Sequence, residues 1–374
     1  MTDSPAPSKA HYQICTRCVM DTSDPDIIFD QAGVCSHCRD FDRAVAPNWQ
    51  HGEAAEARLQ TMAAEIRASG EGREYDCILG LSGGVDSSYL AWVAVKRMGL
   101  RPLAVHVDAG WNSDQAVRNI ESIVKGLDLD LFTNVIDWEE VRDLQRAYLL
   151  SGVENQDTPQ DHVFFASLYR FAVKHGIKWV LSGYNYSSES VLPRSWGYNP
   201  RDSRQLKAIH ARFGQRKLKT YPIATLLHHY VYWPKIRGLK VVHPLNLVDY
   251  DKEKAKAFLA SELGWRDYGG KHHESRFTKF FQGYWLPRKF GFDKRRAHLS
   301  SLILAGQMTR EQALAELQKP SYTEAELAGD QEFLRKKLGF SEAEFQDILA
   351  APPKTYRDYP SWAWLRDLWH RIRR

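Results

Sequence analysis

Short apolar runs alternate with helix-spaced segments through the middle of the chain. Residues 77–81, Cys-Ile-Leu-Gly-Leu, form an apolar run of strand length, and 87–96 carries Leu90, Val93 and Ala94 at helical spacing. A second run, 103–107, follows Gly99 and Pro102 and ends at Asp108 before Ala109-Gly110. Together they predict a β-α-β unit of about thirty residues. The runs 131–136, 179–182 and 239–242 predict three further strands, and 160–175, preceded by Thr158-Pro159, predicts an amphipathic helix. Strands alternating with helices predict an α/β chain with a Rossmann-like parallel sheet.

On either side of this sheet the pattern is helical. Residues 53–69, closed by Gly70, read as a linking helix. Beyond Tyr250 the composition shifts to helix formers and aromatics. There Thr309-x-x-Gln312, Thr323-x-x-Glu326 and Ser341-x-x-Glu344 each have the form of a capping box. The expected organisation is a small N-terminal unit at 1–44, a linker helix at 45–74, the α/β unit at 75–250 and a helical region at 251–374. No internal repeat is present, and residues 1–10, with Pro5 and Pro7, read as a frayed terminus.

Composition narrows the class. With 374 residues and 43% hydrophobic content the chain can bury a sizeable core. Its net charge of +5 is too modest to call for a nucleic-acid partner. No apolar run approaches the roughly twenty residues a membrane helix needs, and no signal peptide is apparent, so a cytoplasmic location is expected.

Chemistry concentrates first at Ser82-Gly83-Gly84-Val85-Asp86-Ser87-Ser88, where the first strand turns into a helix. Glycine admits positive φ and close approach by an anion, and the helix start offers unpaired N–H groups at the positive end of its dipole. The serine hydroxyls add donors, so the stretch has the makings of a phosphate cradle. Asp86 could hold Mg²⁺ beside the phosphates. The plainer alternative is a glycine turn that merely joins strand to helix. No Gly-x-x-x-x-Gly-Lys-[Ser/Thr] occurs, which removes support for a kinase-like phosphate loop. His106 has two readings, a site residue or an ordinary strand residue facing a helix, and the second is preferred. After the fourth strand, Gly183-Tyr184-Asn185-Tyr186-Ser187-Ser188-Glu189 is either a metal-holding segment ending in Glu189 or a polar loop leading into a helix.

Cysteine spacing is the second signal. Cys15, Cys18, Cys35 and Cys38 form C-x2-C, sixteen residues, C-x2-C, the pattern of a four-thiolate Zn²⁺ site. Two disulfides are the alternative, disfavoured in a reducing cytosol. With all four positions filled by protein, the zinc would be structural.

A third concentration lies at 264–282. From Lys271 to Arg296 there are eight Lys or Arg against Glu274 and Asp293, a cluster suited to a diphosphate or pyrophosphate. The alternative is a solvated basic face, although Phe277, Phe280, Phe281, Tyr284 and Trp285 require burial nearby. The tail 362–374 combines tryptophans with arginines and could pack on its own chain, dock a partner or lie on an anionic membrane.

These residues carry a resemblance. Ser-Gly-Gly-x-Asp-Ser after a strand resembles the PP-loop of the ATP pyrophosphatases, the adenine nucleotide alpha hydrolase-like fold, and Gly183-x5-Glu189 resembles a segment of the NAD synthetases. The four cysteines, the PP-loop, Gly-Gly-Lys-His-His-Glu-Ser-Arg-Phe-Thr-Lys-Phe and Asp293-Lys-Arg-Arg-Ala-His-Leu-Ser300 together resemble the N-acetyl sugar amidotransferases of bacterial surface-polysaccharide biosynthesis. The resemblance runs from Cys15 to about Leu317. One departure is His272-His273, where that family has His followed by an aromatic.

The resemblance implies an enzyme that adenylates the acetamido group of a nucleotide-linked sugar and lets ammonia displace AMP, giving an acetamidino sugar. It implies ATP held by Ser82, Gly83, Gly84, Asp86, Ser87, Ser88, Val107 and Gly183, with Mg²⁺ on Asp86 and Glu189. It further implies catalysis by Asp86, Lys271, His272 and Arg276, His272 as the base for ammonia, and sugar contacts from Lys271, His273, Glu274, Arg276 and Lys279. A glutaminase needs a nucleophilic cysteine. Four cysteines are assigned to zinc and Cys77 lies inside a strand, so a separate glutaminase subunit, with a cyclase-like companion, is the expected source of ammonia. The rival readings are a tRNA thiolation enzyme of the PP-loop type and a non-catalytic zinc and nucleotide-binding scaffold.

Overall fold

The computed structural model describes residues 12–269 and 274–365. Five strands, β1 (Cys77–Gly80), β2 (Pro102–Asp108), β3 (Leu131–Val135), β4 (Trp179–Leu181) and β5 (Lys240–Val242), form one parallel sheet in the order β3-β2-β1-β4-β5. All five coincide with the apolar runs of the sequence, four of them a residue shorter and β2 a residue longer at each end. Register is tight at the centre, with Ile78 opposite Leu103 on one side and Val180 on the other.

Side-chain alternation sorts the core into two faces. Ile78, Leu103, Val105, Val107 and Val180 point to one face, where they meet Val141, Leu144 and Tyr148 of helix Trp138–Ser151 and Val163, Ala166 and Tyr169 of helix Thr158–Lys174. Cys77, Leu79, Ala104 and Leu181 point to the other, against Leu59 and Ile66 of helix Gly52–Ser69, Leu90 and Ala94 after β1, and Leu259 of helix Lys252–Leu263. Burying both faces is what a parallel sheet demands, since its strands are apolar on both sides.

Helices follow the sheet, as the composition beyond Tyr250 foretold, and all three capping boxes form, at Thr309, Thr323 and Ser341. The aromatics of the basic stretch are buried: Phe277, Phe280, Phe281 and Trp285 join the first core face.

Four of the cations beside them, expected to serve an anion, are engaged by the chain itself. Arg276 pairs with Asp330 at 2.5 Å and lies over the Phe333 ring at 3.7 Å. Lys279 pairs with Glu326 at 3.2 Å, Lys289 donates to the Ala351 carbonyl at 2.7 Å, and Arg296 pairs with Asp21 at 2.9 Å. These charges tie the C-terminal helices to one another and to the N-terminal unit. The tail begins on its own chain: Trp362 N–H donates to Asp202 at 2.6 Å and Arg204 lies over the Trp362 ring at 4.8 Å.

A buried carboxylate marks where the segment before the tail docks. Glu154 is 2% exposed, and its Oε1 accepts from Tyr356 N–H at 3.3 Å while Oε2 has no partner among the described residues. Burial pushes its pKa up to about 7 from an ordinary value of 4.5. The folded state therefore holds the proton that the unfolded chain has already lost, and stability falls as pH rises from about 4.5 to about 7. Glu154→Gln is expected to raise the melting temperature by several degrees at about pH 8 and to leave it unchanged at about pH 4, the difference reflecting up to about 3 kcal/mol. Equal shifts at both pH values in thermal denaturation would refute the assignment.

Candidate active site

The strand order reverses at β1, which has β2 on one side and β4 on the other. In open parallel sheets this switch point opens a crevice at the carboxyl ends of the strands. Ser82–Ser88 occupies it. Gly83 has φ +79°, and a Cβ there would meet the Ala116 carbonyl at 2.4 Å, so no other residue fits. The turn is braced internally by Ser82 and Ser87, whose hydroxyls lie 3.1 Å apart, and by Ser87 Oγ donating to Gly84 O at 3.1 Å. Helix Val85–Trp92 then starts with its first N–H groups facing the crevice.

Two residues clamp this turn, Trp265 from the stretch 264–282 and Asn119, which no pattern in the sequence marks. Trp265 Nε1 donates to Gly83 O at 2.9 Å, and Asn119 Nδ2 donates to the same carbonyl at 3.2 Å. Asn119 also takes Arg266 N–H at 2.9 Å, tying the turn to the segment at 265–269. A cavity of about 170 Å³ lies over the turn. Its floor is Ser82, Gly84, Val85, Asp86 and Ser87; its walls include Gly183, Tyr184 and Glu189 after β4, Lys252 and Lys256, and Tyr268 and Glu274.

Within it, Asp86 Oδ1 accepts from the Tyr250 hydroxyl and from Asn185 Nδ2, the latter at 3.3 Å. Burial, reinforced by the Asp86 charge, keeps Tyr250 protonated well above the ordinary phenol range. Burial likewise holds the Tyr268 phenol up, with Glu274 and Asp86 adding to the effect. Asn185 caps helix Tyr186–Glu189 by accepting Ser188 N–H at 2.9 Å, which delivers Glu189 to the same cavity as Asp86. Two carboxylates beside a glycine turn at a helix start are an oxygen donor set of the kind Mg²⁺ takes.

The expected site residues divide as follows. Ser82, Gly84, Asp86, Ser87, Gly183, Glu189 and Glu274 border the cavity, and Gly83 shapes it from behind. Ser88 is fully buried behind the turn, and Val107 sits in the β2–β3 ladder opposite Asn134. Arg276 and Lys279 are not brought to the cavity; their charged ends lie on the helix Glu324–Leu338. Lys271, His272 and His273 lie outside the described residues, although Tyr268 and Glu274 on either side of them border the cavity. His106 is a strand residue whose Nδ1 contacts Leu81 O at 2.9 Å, in line with its plainer reading. Lys252 and Lys256 were missed because no local spacing marks them; they reach the cavity only because helix Lys252–Leu263 packs beside Val85–Trp92.

The four cysteines converge. Their ligand atoms all lie within 4.8 Å of one another, and the separations Cys15–Cys38, Cys18–Cys35 and Cys35–Cys38 are 3.8, 3.7 and 3.6 Å. Disulfide sulfurs would stand about 2.05 Å apart, so the two-disulfide alternative is not realised. A tetrahedron with Zn–S bonds of about 2.3 Å has an edge of about 3.8 Å. Backbone N–H groups of Arg17, Cys18 and Cys35 point at Cys15 Sγ at 3.3 to 3.4 Å, as a thiolate requires. The donor set therefore fits Zn²⁺.

Cys77, the fifth cysteine, is buried in β1, and burial pushes its thiol well above the ordinary range. No helix among the described residues is long and apolar enough to cross a membrane.

A curated relative, an uncharacterized protein of Methanocaldococcus jannaschii, is 22% identical over 258 residues, 67% of this chain and 75% of its own length. Among solved structures, the NH3-dependent NAD synthetase of Campylobacter jejuni, in complex with the nitrate ion, is 15% identical; the alignment covers 77% of this chain and 97% of that chain at a TM-score of 0.34. Residues 274–373 match the family described as "LPS biosynthesis protein WbpG-like, C-terminal domain", so the helical C-terminal part of this α/β chain is similar to a domain of lipopolysaccharide-biosynthesis proteins.

Proposed function

We propose that the chain is an ATP-dependent amidotransferase of bacterial surface-polysaccharide biosynthesis, converting the acetamido group of a nucleotide-linked N-acetyl sugar into an acetamidino group. The observation that carries this reading is the switch-point cavity, where a glycine turn, Asp86, Glu189, Lys252 and Lys256 meet in a chain whose C-terminal part matches a lipopolysaccharide-biosynthesis domain.

An amide carbonyl is a poor electrophile, and ammonia cannot expel oxide from it. Attack of the amide oxygen on the α-phosphorus of ATP forms an O–P bond and releases pyrophosphate. Ammonia then adds to the activated carbon, the C–O bond breaks, AMP departs, and the amidine remains after proton loss. The chain's part is positional and electrostatic. The N–H groups at the start of Val85–Trp92 and the lysines bind the departing phosphates, a contribution on the order of a few kcal/mol. Asp86 and Glu189 are the residues that would hold Mg²⁺, which supplies charge neutralisation on the phosphates when bound. His272 is assigned the proton from the attacking ammonia, and Lys271, His273 and Glu274 are assigned to the sugar. Cys15, Cys18, Cys35 and Cys38 are assigned a structural Zn²⁺.

Nitrogen is supplied by a separate glutaminase subunit, with a cyclase-like companion in the same assembly. This assignment rests on the count of five cysteines, four of them in the thiolate cluster and Cys77 buried in a strand. A buried thiol with a raised pKa is unreactive.

Incubating the purified chain with ATP, ammonium and a panel of nucleotide-linked acetamido sugars is expected to yield AMP and pyrophosphate only when the right sugar is present. ADP as the product would overturn the reading. Glutamine hydrolysis by the single chain, at a rate matching AMP release, would overturn the assignment of the nitrogen source.

A further inference from the structure

The helix Lys294–Leu304 touches three parts of the molecule at once. Ser300 Oγ accepts Val19 N–H at 3.2 Å beside the thiolate cluster, and Ser301 Oγ accepts Val191 N–H at 3.0 Å just after Glu189. About half a turn earlier on the same helix, His298 reaches the cavity wall. Its Nδ1 lies 3.0 Å from Ser188 O, and its Nε2 lies 3.5 Å from Lys252 Nζ.

The two contacts suit one tautomer of the ring. A carbonyl oxygen can only accept, so Nδ1 carries the proton. The ammonium of Lys252 can only donate, so Nε2 presents its lone pair. A neutral imidazole with this tautomer satisfies both, whereas an imidazolium would set N–H against N–H. Lys252 borders the cavity while being only 7% exposed, so its direction is set by what packs around it.

We propose that His298 is a positioning residue for the nucleotide, holding Lys252 so that its ammonium faces the phosphates over the Ser82–Ser88 turn. The inference rests on the ATP chemistry proposed above. It gives the C-terminal part of the chain a direct hand in the nucleotide site.

Two isosteric substitutions separate this role from a purely structural one. His298→Asn keeps an N–H where Nδ1 stands and so retains the bond to Ser188, but it loses the acceptor for Lys252. His298→Gln places a carbonyl near Nε2 and retains that acceptor. Equilibrium binding of ATP and the KM for ATP are the readouts, with melting temperature as the control. His298→Asn is expected to melt like the wild type and to bind ATP about tenfold more weakly, the loss of one charge-assisted hydrogen bond, with kcat little changed. His298→Gln should stay within about threefold of the wild type, and the effect of His298→Asn should vanish in a Lys252→Ala background. The reverse pattern, with Gln impaired and Asn normal, assigns His298 to the Ser188 contact alone and overturns the proposal, as does normal ATP binding by both variants. A wild type that binds no ATP removes this inference together with the proposed function; a wild type that binds ATP with His298→Asn unaffected removes the positioning role alone.

Discussion

Asp86→Asn is expected to fold normally and to lose AMP formation by a factor on the order of 10³. The asparagine carbonyl still accepts from the Tyr250 hydroxyl and from Asn185, the two partners that Asp86 Oδ1 has, so the local network survives. What disappears is a negative charge in the first turn of Val85–Trp92, where it interacts with the helix dipole for about 0.3–1 kcal/mol. The melting temperature should therefore move by no more than a few degrees. The catalytic loss is far larger because the carboxylate and Glu189 form the donor set for the proposed Mg²⁺, and an amide is a weak ligand for a hard cation. Single-turnover AMP formation at saturating ATP measures the effect, and circular dichroism checks the fold. A variant that retains within tenfold of wild-type AMP formation places the chemistry elsewhere.

The largest effect on stability is expected at the thiolate cluster. Chelation, or Cys18→Ser, should remove metal-linked folding free energy on the order of 10 kcal/mol from the N-terminal unit. The damage should spread, because the knuckles are bound to the C-terminal helices. Arg310 donates to the carbonyls of Cys15 and Cys18 at 3.0 to 3.1 Å, Arg296 donates to Val19 O at 2.8 Å, and Ser300 takes Val19 N–H. Releasing Cys15–Val19 frees one side of Lys294–Leu304, the helix that carries His298. Hydrogen exchange is expected to rise in 12–42 and in 294–304 together, and zinc should be found at one per chain in protein purified without chelators. Absence of metal, or faster exchange confined to 12–42, would count against this account.

Several parts of this architecture were legible without coordinates, and for one physical reason. Strand position, helix starts and thiolate pairing depend on residues that are neighbours in the chain. Cys77 and Leu79 face one layer and Ile78 the other because a pleated strand alternates, and an unbroken apolar run such as the one that marked β1 suits a strand buried on both faces. Thr309, Thr323 and Ser341 cap helices through residues three positions on, and each x2 gap brings two sulfurs to one point. The glycine turn was legible for the same reason, since strand, turn and helix start lie within a dozen residues.

Convergence across the chain was decided by tertiary packing. Lys252 and Lys256 entered the cavity, and Trp265 and Asn119 took hold of Gly83, through contacts spanning more than thirty residues that no spacing encodes. The basic stretch shows the limit most clearly. Its charges were visible in sequence but their partners were not, and Asp330, Glu326 and Asp21, brought close by helix packing, turned Arg276, Lys279 and Arg296 into fasteners of the fold. A charge run states how much charge is present. Whether it meets a ligand, water or a carboxylate of its own chain depends on where distant helices come to rest, and that is settled by the burial of apolar faces such as Phe277 and Phe280, which carry no information about charge.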